Sequence, residues 1–229
     1  MKNKKLLINI IKLIITLLIF GLNDIFVLIP VKIFNLDVNN LSTTVNYILT
    51  IFRYICLIII LFLLYRKDLK VEWKTFKTKI TKNMDTAVKY YLIGLVSMMF
   101  FNIIINFVLQ LGGPQNEKAV QNMISSSPLL MLICAGLLAP ITEELIFRKA
   151  FKNVFTNKWV FVIISGLVFG AMHVVNYTFQ NPLEILYILP YGSLGACFAY
   201  MDYKVDSVFP SIAMHMIHNT ALTILSILI

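Results

Sequence analysis

The chain alternates long apolar segments with shorter polar ones, and the apolar segments have the length of membrane spans. A transmembrane helix needs about 20 predominantly apolar residues. Seven segments reach that length: Leu6–Ile29, Val45–Tyr65, Tyr90–Leu111, Pro128–Phe155, Trp159–Phe179, Leu183–Met201 and Val208–Ile229. This pattern predicts an all-α protein, a polytopic membrane bundle of about seven transmembrane helices.

The composition agrees with a membrane location. Hydrophobic residues make up 59% of the 229 positions and charged residues only 14%, whereas about a quarter of the residues in soluble domains are charged. In a soluble protein the net charge of +9 would suggest nucleic acid as a partner. In a membrane protein such charge marks topology and headgroup contacts, so we expect membrane lipid, and no nucleic acid, as a partner.

Basic residues are concentrated at the N-terminus and in alternate loops. They are Lys2, Lys4 and Lys5 before the first span; Arg66, Lys67, Lys70, Lys74, Lys77, Lys79, Lys82 and Lys89 after the second; Arg148, Lys149, Lys152 and Lys158 around the end of the fourth; and Lys204 after the sixth. Loops rich in lysine and arginine stay in the cytoplasm. The alternation predicts a multi-pass protein of the cell membrane with a cytoplasmic N-terminus and an extracytoplasmic C-terminus.

The loop after the second span has a helical periodicity of its own. Apolar residues recur in residues 66–83 at helical intervals, with lysines between them, which predicts a basic amphipathic helix on the cytoplasmic headgroups. These apolar residues are Leu69, Trp73, Phe76 and Ile80. We divide the chain into an N-terminal two-span region with this loop, residues 1–86, and a transmembrane core, residues 87–229. The polar segment at 112–128 is expected to be rich in turns.

Two adjacent carboxylates, Glu143 and Glu144, lie inside the fourth predicted span. A charged side chain at the centre of a bilayer costs about 3 kcal/mol on insertion scales, so both are expected to face a cavity inside the protein. All three histidines, His173, His215 and His218, also lie in predicted spans. The helical rise places Glu143 and His173 roughly 20 Å from the cytoplasmic ends of their spans, and His215 roughly 10 Å. Three spans therefore bring polar groups to overlapping depths.

The spacing of these residues separates their roles. Glu144 and Arg148 are four residues apart, so they share a helix face and can pair. Glu143 points about 100° away from Glu144 and is free for other work. His215 and Asn219 are also four residues apart and share a face of the seventh span.

A glutamate beside a histidine at this depth can activate a water molecule. Glu143 is the candidate general base and His173 the candidate group that orients the water. His215 and Asn219 can donate hydrogen bonds to a developing oxyanion. Glu143, His173 and His215 could instead hold a zinc ion with an open position for water. Both arrangements lead to peptide-bond hydrolysis, and a zinc cofactor is left open.

Three short motifs each occupy a hydrophobic segment of their own. They are E-E-L-I-F-R at 143–148, F-G-A-M-H at 169–173 and H-M-I-H-N at 215–219. These motifs resemble E-E-x-x-x-R, F-x-x-x-H and H-x-x-x-N of the CPBP family, the CAAX proteases and bacteriocin-processing proteins, also called the Abi family. The resemblance is to the type II CAAX prenyl endopeptidases within it and covers about residues 125–229.

The resemblance implies an all-helical intramembrane endopeptidase acting on membrane-anchored proteins or peptides. It implies that Glu143 and His173 serve the catalytic water, and that His215 and Asn219 serve the oxyanion. It leaves both a metal-bound and a metal-free mechanism open. The remaining motif residues are expected to support the site: Glu144, Arg148 and Phe169.

Two other functions are compatible with the same polar residues. One is a non-catalytic bacteriocin-immunity or scaffold protein of this fold. The other is a proton-coupled transporter, because buried glutamates and histidines also serve as proton relays. An immunity role carried out by proteolysis, or a role in peptide processing, would combine the first of these functions with the peptidase.

Overall fold

The computed structural model describes residues 2–229, and every regular element within them is a helix. The helices are α1 (Lys2–Gly21), α2 (Ile25–Ile33), α3 (Thr43–Thr78), α4 (Ile80–Leu109), α5 (Gln115–Ser126), α6 (Pro128–Val154), α7 (Lys158–Thr178), α8 (Pro182–Val205) and α9 (Phe209–Leu228). Over this described part, six helices are long and apolar enough to cross a membrane, and the bent pair α1–α2 makes a seventh. The predicted bundle of about seven spans is confirmed. The division at residues 86 and 87 falls inside α4 and stays a prediction.

The first span is broken rather than straight. After Gly21 the helix ends, and α2 continues at an angle of 52°. The Asn23 side chain donates to the carbonyl oxygen of Phe20, and Asp24 pairs with Arg53 of α3 at 2.9 Å. Glycine weakens a helix, and asparagine and aspartate side chains compete for its backbone hydrogen bonds. The break therefore follows from local sequence, and it turns a carboxylate toward α3.

The segment after the second span is helical, as predicted, but it is not a separate element. It continues α3 without a break to Thr78. No glycine or proline interrupts α3, so nothing in its sequence ends the helix at the headgroups. Its 36 residues measure about 54 Å, longer than the roughly 30 Å hydrocarbon core, so one end projects beyond it.

The projecting end of α3 packs in part on the protein. Leu69 and Phe76 are buried, and Phe76 stacks on Phe209 of α9. Glu72 accepts a hydrogen bond from Lys149 at 2.5 Å. Part of the predicted apolar stripe thus serves contacts within the bundle, while its other members are exposed.

The polar segment between α4 and α6 is also more regular than predicted. Residues 115–126 form helix α5 instead of a turn-rich loop. Pro114 occupies the position before it, where the fixed φ of proline suits a helix start. The turn expectation is confirmed only at Gly112 and Gly113, which both adopt positive φ angles.

Helices α7 and α8 approach each other through glycines. A Cβ atom on Gly166 would lie 2.7 Å from the carbonyl oxygen of Gly192 and 2.9 Å from the Cβ atom of Ala196. Small residues that let helix backbones touch are a common packing device in membranes. This contact fixes α7, which carries Phe169 and His173.

Gly166→Ala is expected to lower the thermal unfolding midpoint in detergent. The added methyl group meets a backbone atom that cannot move aside, and overpacking of this kind costs about 1–3 kcal/mol. Loss of the monomer peak on size exclusion after heating measures the midpoint. Gly21→Ala is the matched control, because its Cβ atom would meet nothing within 4 Å. Equal midpoints in the two variants would contradict the packing argument.

Candidate active site

Helix α6, which carries both glutamates, contains two π-helical segments. They are Cys134–Leu138 and Leu145–Ala150, with a regular turn, Ala139–Glu144, between them. In the first, the Ala139 N–H bonds the carbonyl oxygen of Cys134, five residues back. Such π turns are frequent at functional sites.

The first π segment leaves carbonyl oxygens without helical donors. The α-helical partner of Ala135 would be the Ala139 N–H, which bonds Cys134 instead. The α-helical partner of Gly136 would be Pro140, which has no N–H. Two side chains of α9 supply the missing donors. These are Asn219 Nδ2, 3.0 Å from the oxygen of Ala135, and Thr220 Oγ1, 3.3 Å from that of Gly136.

These contacts give Asn219 a structural role in addition to the role of oxyanion donor that the sequence predicts. One of the two hydrogens on its amide nitrogen is committed to Ala135, and the other is left over. Gly136 permits the approach, because a Cβ atom there would lie 2.9 Å from Thr220 Oγ1. Asn219 therefore joins α9 to α6 beside the glutamates.

Glu144 is fully buried and has two partners. Its Oε2 lies 3.1 Å from Arg148 Nε, as the four-residue spacing predicts. Its Oε1 lies 2.8 Å from His215 Nδ1 on α9, a contact the sequence did not predict. Glu144 thus holds the imidazole of His215 as well as pairing with Arg148.

The guanidinium of Arg148 is held more by shape and charge than by hydrogen bonds. Across residues 2–229, none of its three nitrogens has a hydrogen-bond partner of good geometry. Its central carbon lies 4.5 Å from the ring centroid of Phe169, within the range of a cation–π contact. Gly195 makes the space, since a Cβ atom there would stand 3.4 Å from Arg148 Nη2.

Glu143 is the more exposed member of the glutamate pair. Its side chain is 21% exposed, and its Oε2 lies 3.8 Å from His215 Nε2. In the part of the chain that the structure covers, this oxygen accepts no hydrogen bond although it is buried. An unpaired buried carboxylate oxygen is costly, so a water or substrate group is its expected partner.

Glu143 borders a pocket of about 360 Å³ between α1, α3 and α6. Its polar lining includes Asn23, Asp24, Arg53 and Tyr54. Asp24 and Arg53 belong to no motif, so nothing linked them to the site beforehand. They form an ion pair between helices in the wall of the same pocket as Glu143. Charged residues within predicted spans were the available signal.

His173 and His215 both contact the ring of Phe169. The Nδ1 of His173 bonds the carbonyl oxygen of Phe169 at 2.8 Å. Its ring is tilted against Phe169 at 4.5 Å and stacks on Tyr191 at 4.7 Å. Phe169 also meets His215 edge-on at 5.7 Å. No hydrogen bond or ion pair joins His173 to a glutamate within residues 2–229.

The structure shows where the three proposed zinc ligands lie. Over the described residues, no group of three or more His, Cys, Asp or Glu side chains is placed to hold a metal ion. Glu143 and His215 face each other, and the bond from His173 Nδ1 to the carbonyl oxygen of Phe169 engages only one of its two ring nitrogens. A zinc cofactor therefore stays a prediction.

A further buried acid lies near the site and was not predicted from the sequence. Asp202 of α8 is fully buried and accepts a hydrogen bond at 2.7 Å from Ser211, one turn before His215. It lies one residue beyond the predicted end of the sixth span, where a carboxylate looks like an ordinary loop residue. The one indication of a polar partner there was Ser211, a polar residue on the same face of α9 as His215.

The fold is that of a multi-pass helical membrane protein, and part of the chain is similar to CAAX proteases. Residues 125–221 match the family model described as Type II CAAX prenyl endopeptidase Rce1-like. The predicted resemblance to the CPBP family is thereby confirmed, and the three motifs all lie within the matched residues.

Bacterial relatives agree with this family. The chain is 26% identical, over 75% of its length and 68% of the relative's, to YdiL of Bacillus subtilis (strain 168), which is provisionally named a membrane peptidase. It is 24% identical, over 63% of its length and 81% of the relative's, to the UPF0177 protein YxdF of Lactococcus lactis. It is 31% identical, over 36% and 45%, to the UPF0177 protein YbdI of the same species. No solved structure matches the chain.

Proposed function

We propose that the chain is an intramembrane endopeptidase that hydrolyses peptide bonds of membrane-associated proteins or peptides. One observation carries this proposal: a Glu143 carboxylate oxygen, unpaired within residues 2–229, lies 3.8 Å from His215 Nε2 at the wall of a polar pocket. A water molecule beside both atoms can hydrogen-bond to each of them. The motif resemblance and the Rce1-like match support the same reaction class.

In the proposed reaction Glu143 is the general base. It takes a proton from the water as the water oxygen attacks the carbonyl carbon of the scissile bond. The tetrahedral intermediate then collapses, the C–N bond breaks, and Glu143 returns the proton to the leaving amine. One water is consumed, and a new carboxylate and a new amine are formed.

His215 is the proposed oxyanion donor, and Glu144 positions it. The contact with Glu144 holds Nδ1 against that carboxylate and leaves Nε2 facing Glu143. When Nε2 carries a hydrogen, it can donate to the oxyanion at the point where negative charge develops. The hydrogen of Asn219 that is not bonded to Ala135 is the second proposed donor.

The role proposed for His173 is the predicted one, orienting the water or the substrate carbonyl. With Nδ1 engaged by Phe169, only Nε2 remains for that contact. Its ring is fixed between Phe169 and Tyr191, which favours a positioning role over that of a mobile base.

The pocket lining supports a peptide backbone as the group bound beside Glu143. Donors and acceptors from the α1–α2 break and α3 face the carboxylate: Asn23, Asp24, Arg53 and Tyr54. An extended peptide segment must satisfy its N–H and C=O groups when it leaves water. The pocket offers hydrogen-bonding partners for these peptide groups beside Glu143.

The predicted orientation, with the N-terminus in the cytoplasm and the C-terminus outside the cell membrane, is part of the proposal. The alternation of basic loops supports it. A role in bacteriocin immunity or peptide processing is supported by the motif resemblance alone.

Reconstituted protein separates the three functions. Liposomes containing the wild-type chain and a membrane-peptide extract are incubated in H₂¹⁸O, and new termini are mapped by mass spectrometry. An endopeptidase produces new amino termini paired with ¹⁸O-labelled carboxyl termini. A pH-sensitive dye inside the same liposomes reports proton flux. Flux without new termini would favour the transporter, and neither signal would favour the scaffold.

A further inference from the structure

A cluster of lysines and aromatic rings away from the glutamates joins the start of α7, the last turns of α8 and the first part of α4. Lys158 and Trp159 begin α7, Lys204 lies near the end of α8, and Lys89 lies in α4 where the predicted third span begins. We call these residues, together with Tyr90, Tyr200 and Tyr203, the basic aromatic platform. Its members come from distant parts of the sequence, so only the fold brings them together.

The rings of the platform form a continuous surface. Trp159 stacks on Tyr200 with centroids 5.8 Å apart, and Tyr90 meets Tyr200 edge-on at 4.8 Å. Trp159 is 56% exposed, so the surface faces outward. Tryptophan and tyrosine favour the level of the lipid headgroups. Trp159 begins α7 and Tyr200 lies near the end of α8, where that level is reached.

The ammonium groups gather over these rings. Lys158 Nζ lies 4.2 Å from the Trp159 centroid and 5.5 Å from that of Tyr200. Lys204 Nζ lies 5.5 Å from the same Tyr200 ring, and Lys89 Nζ lies 5.9 Å from Tyr90. Two lysines thus share one ring, although their like charges repel each other.

The lysines of the platform lack carboxylate partners among residues 2–229. Within the described chain none of the three forms an ion pair, whereas Lys149 and Lys152 nearby both do. The closest acids in sequence do not fill the gap: Asp206 pairs with Lys152, and Asp202 is buried against Ser211. Asp85, one turn before Lys89, is exposed on α4 and forms no ion pair within the same residues. The ammonium groups of these lysines are therefore not neutralised within the described chain, and an anion from outside the chain can pair with them.

We propose that the basic aromatic platform binds the phosphodiester headgroup of an anionic phospholipid. Lys158 and Lys204 contact the phosphate over Tyr200, and Trp159 packs against the upper part of an acyl chain. Anionic headgroups are concentrated where these helix ends meet the membrane, and basic residues there attract them. Zwitterionic lipids carry a compensating cation and would not relieve the repulsion between the lysines.

The two tryptophans of the chain make the site measurable. Trp73→Phe leaves Trp159 as the single indole, inside the platform. This variant is reconstituted with phosphatidylglycerol or phosphatidylcholine brominated on the acyl chain, and quenching is followed against mole fraction. We expect quenching at clearly lower mole fractions of brominated phosphatidylglycerol. Equal quenching by the two lipids would overturn the proposal.

Lysine variants test whether the preference belongs to this cluster. Lys158→Gln with Lys204→Gln is expected to lower it about fivefold or more, from the attraction of single lysines to an anionic surface. Lys67→Gln with Lys70→Gln removes equal charge from positions of α3 outside the platform and should leave the preference intact. Equal losses in both pairs would reduce the effect to general surface charge and overturn the assignment to this cluster. Loss of the preference with millimolar glycerol 3-phosphate would assign the platform to soluble phosphate and overturn the lipid assignment.

Discussion

Glu143→Gln is expected to lower the rate of peptide hydrolysis by at least about a hundredfold, the lower end of what a general base contributes. Glutamine has the same shape but cannot accept the proton of the attacking water. Its carbonyl oxygen can still lie beside His215, so the pocket should keep its form. The change therefore removes the chemistry and spares the packing.

The measurement is the rate at which labelled new termini form in reconstituted liposomes. Thermal unfolding and size exclusion show whether the variant remains folded. Asp85→Asn is the matched control, because it neutralises a carboxylate of α4 outside the site and should keep the wild-type rate. A folded Glu143→Gln protein with the wild-type rate would remove Glu143 from the role of base.

Contacts within one helix were predictable from the sequence. The four-residue spacing of Glu144 and Arg148 predicted their pairing, and the structure places them 3.1 Å apart. The same spacing joins Phe169 to His173, whose rings are in contact with centroids 4.5 Å apart. Such contacts depend on the helical repeat alone, so periodicity is sufficient to find them.

For contacts between helices, the sequence predicted which residues share a site but not which of them touch. Overlapping depths suggested a shared site, but depth says nothing about how each helix is rotated. His215 bonds Glu144 with one nitrogen and faces Glu143 with the other, whereas the sequence-based prediction placed His173 beside Glu143. The π segments contribute to this difference, because each wide turn changes the rotation of the helical residues after it.

One cross-helix contact had a signal in the sequence. Pro140 has no N–H, so a carbonyl oxygen one turn earlier needs a donor from elsewhere. Inside a membrane that donor must be a protein side chain, since water is absent from the hydrocarbon core. Asn219 and Thr220 provide the donors. A proline three residues before the proposed general base thus pointed to polar partners on a neighbouring span.

Glu144→Gln is expected to cost about 3–5 kcal/mol of stability, because removing one partner of a buried ion pair leaves the other charge uncompensated. Arg148 would keep its charge after losing the carboxylate that pairs with it, and the aromatic rings of Phe169 and Phe198 would still contact it. The apparent unfolding midpoint in detergent should fall far below that of Glu143→Gln. Activity should fall as well, since His215 loses the oxygen that fixes its ring.

A second substitution separates these two consequences. Glu144→Gln combined with Arg148→Met removes both charges of the pair, and replacing a buried ion pair with apolar or neutral groups is often close to neutral for stability. The double variant should therefore regain much of the lost midpoint while its hydrolysis rate stays low, because His215 remains without its carboxylate. Recovery of both quantities would show that Glu144 acts only as the partner of Arg148. Recovery of neither would show that the pair itself, and not the lone charge, holds α6 in place.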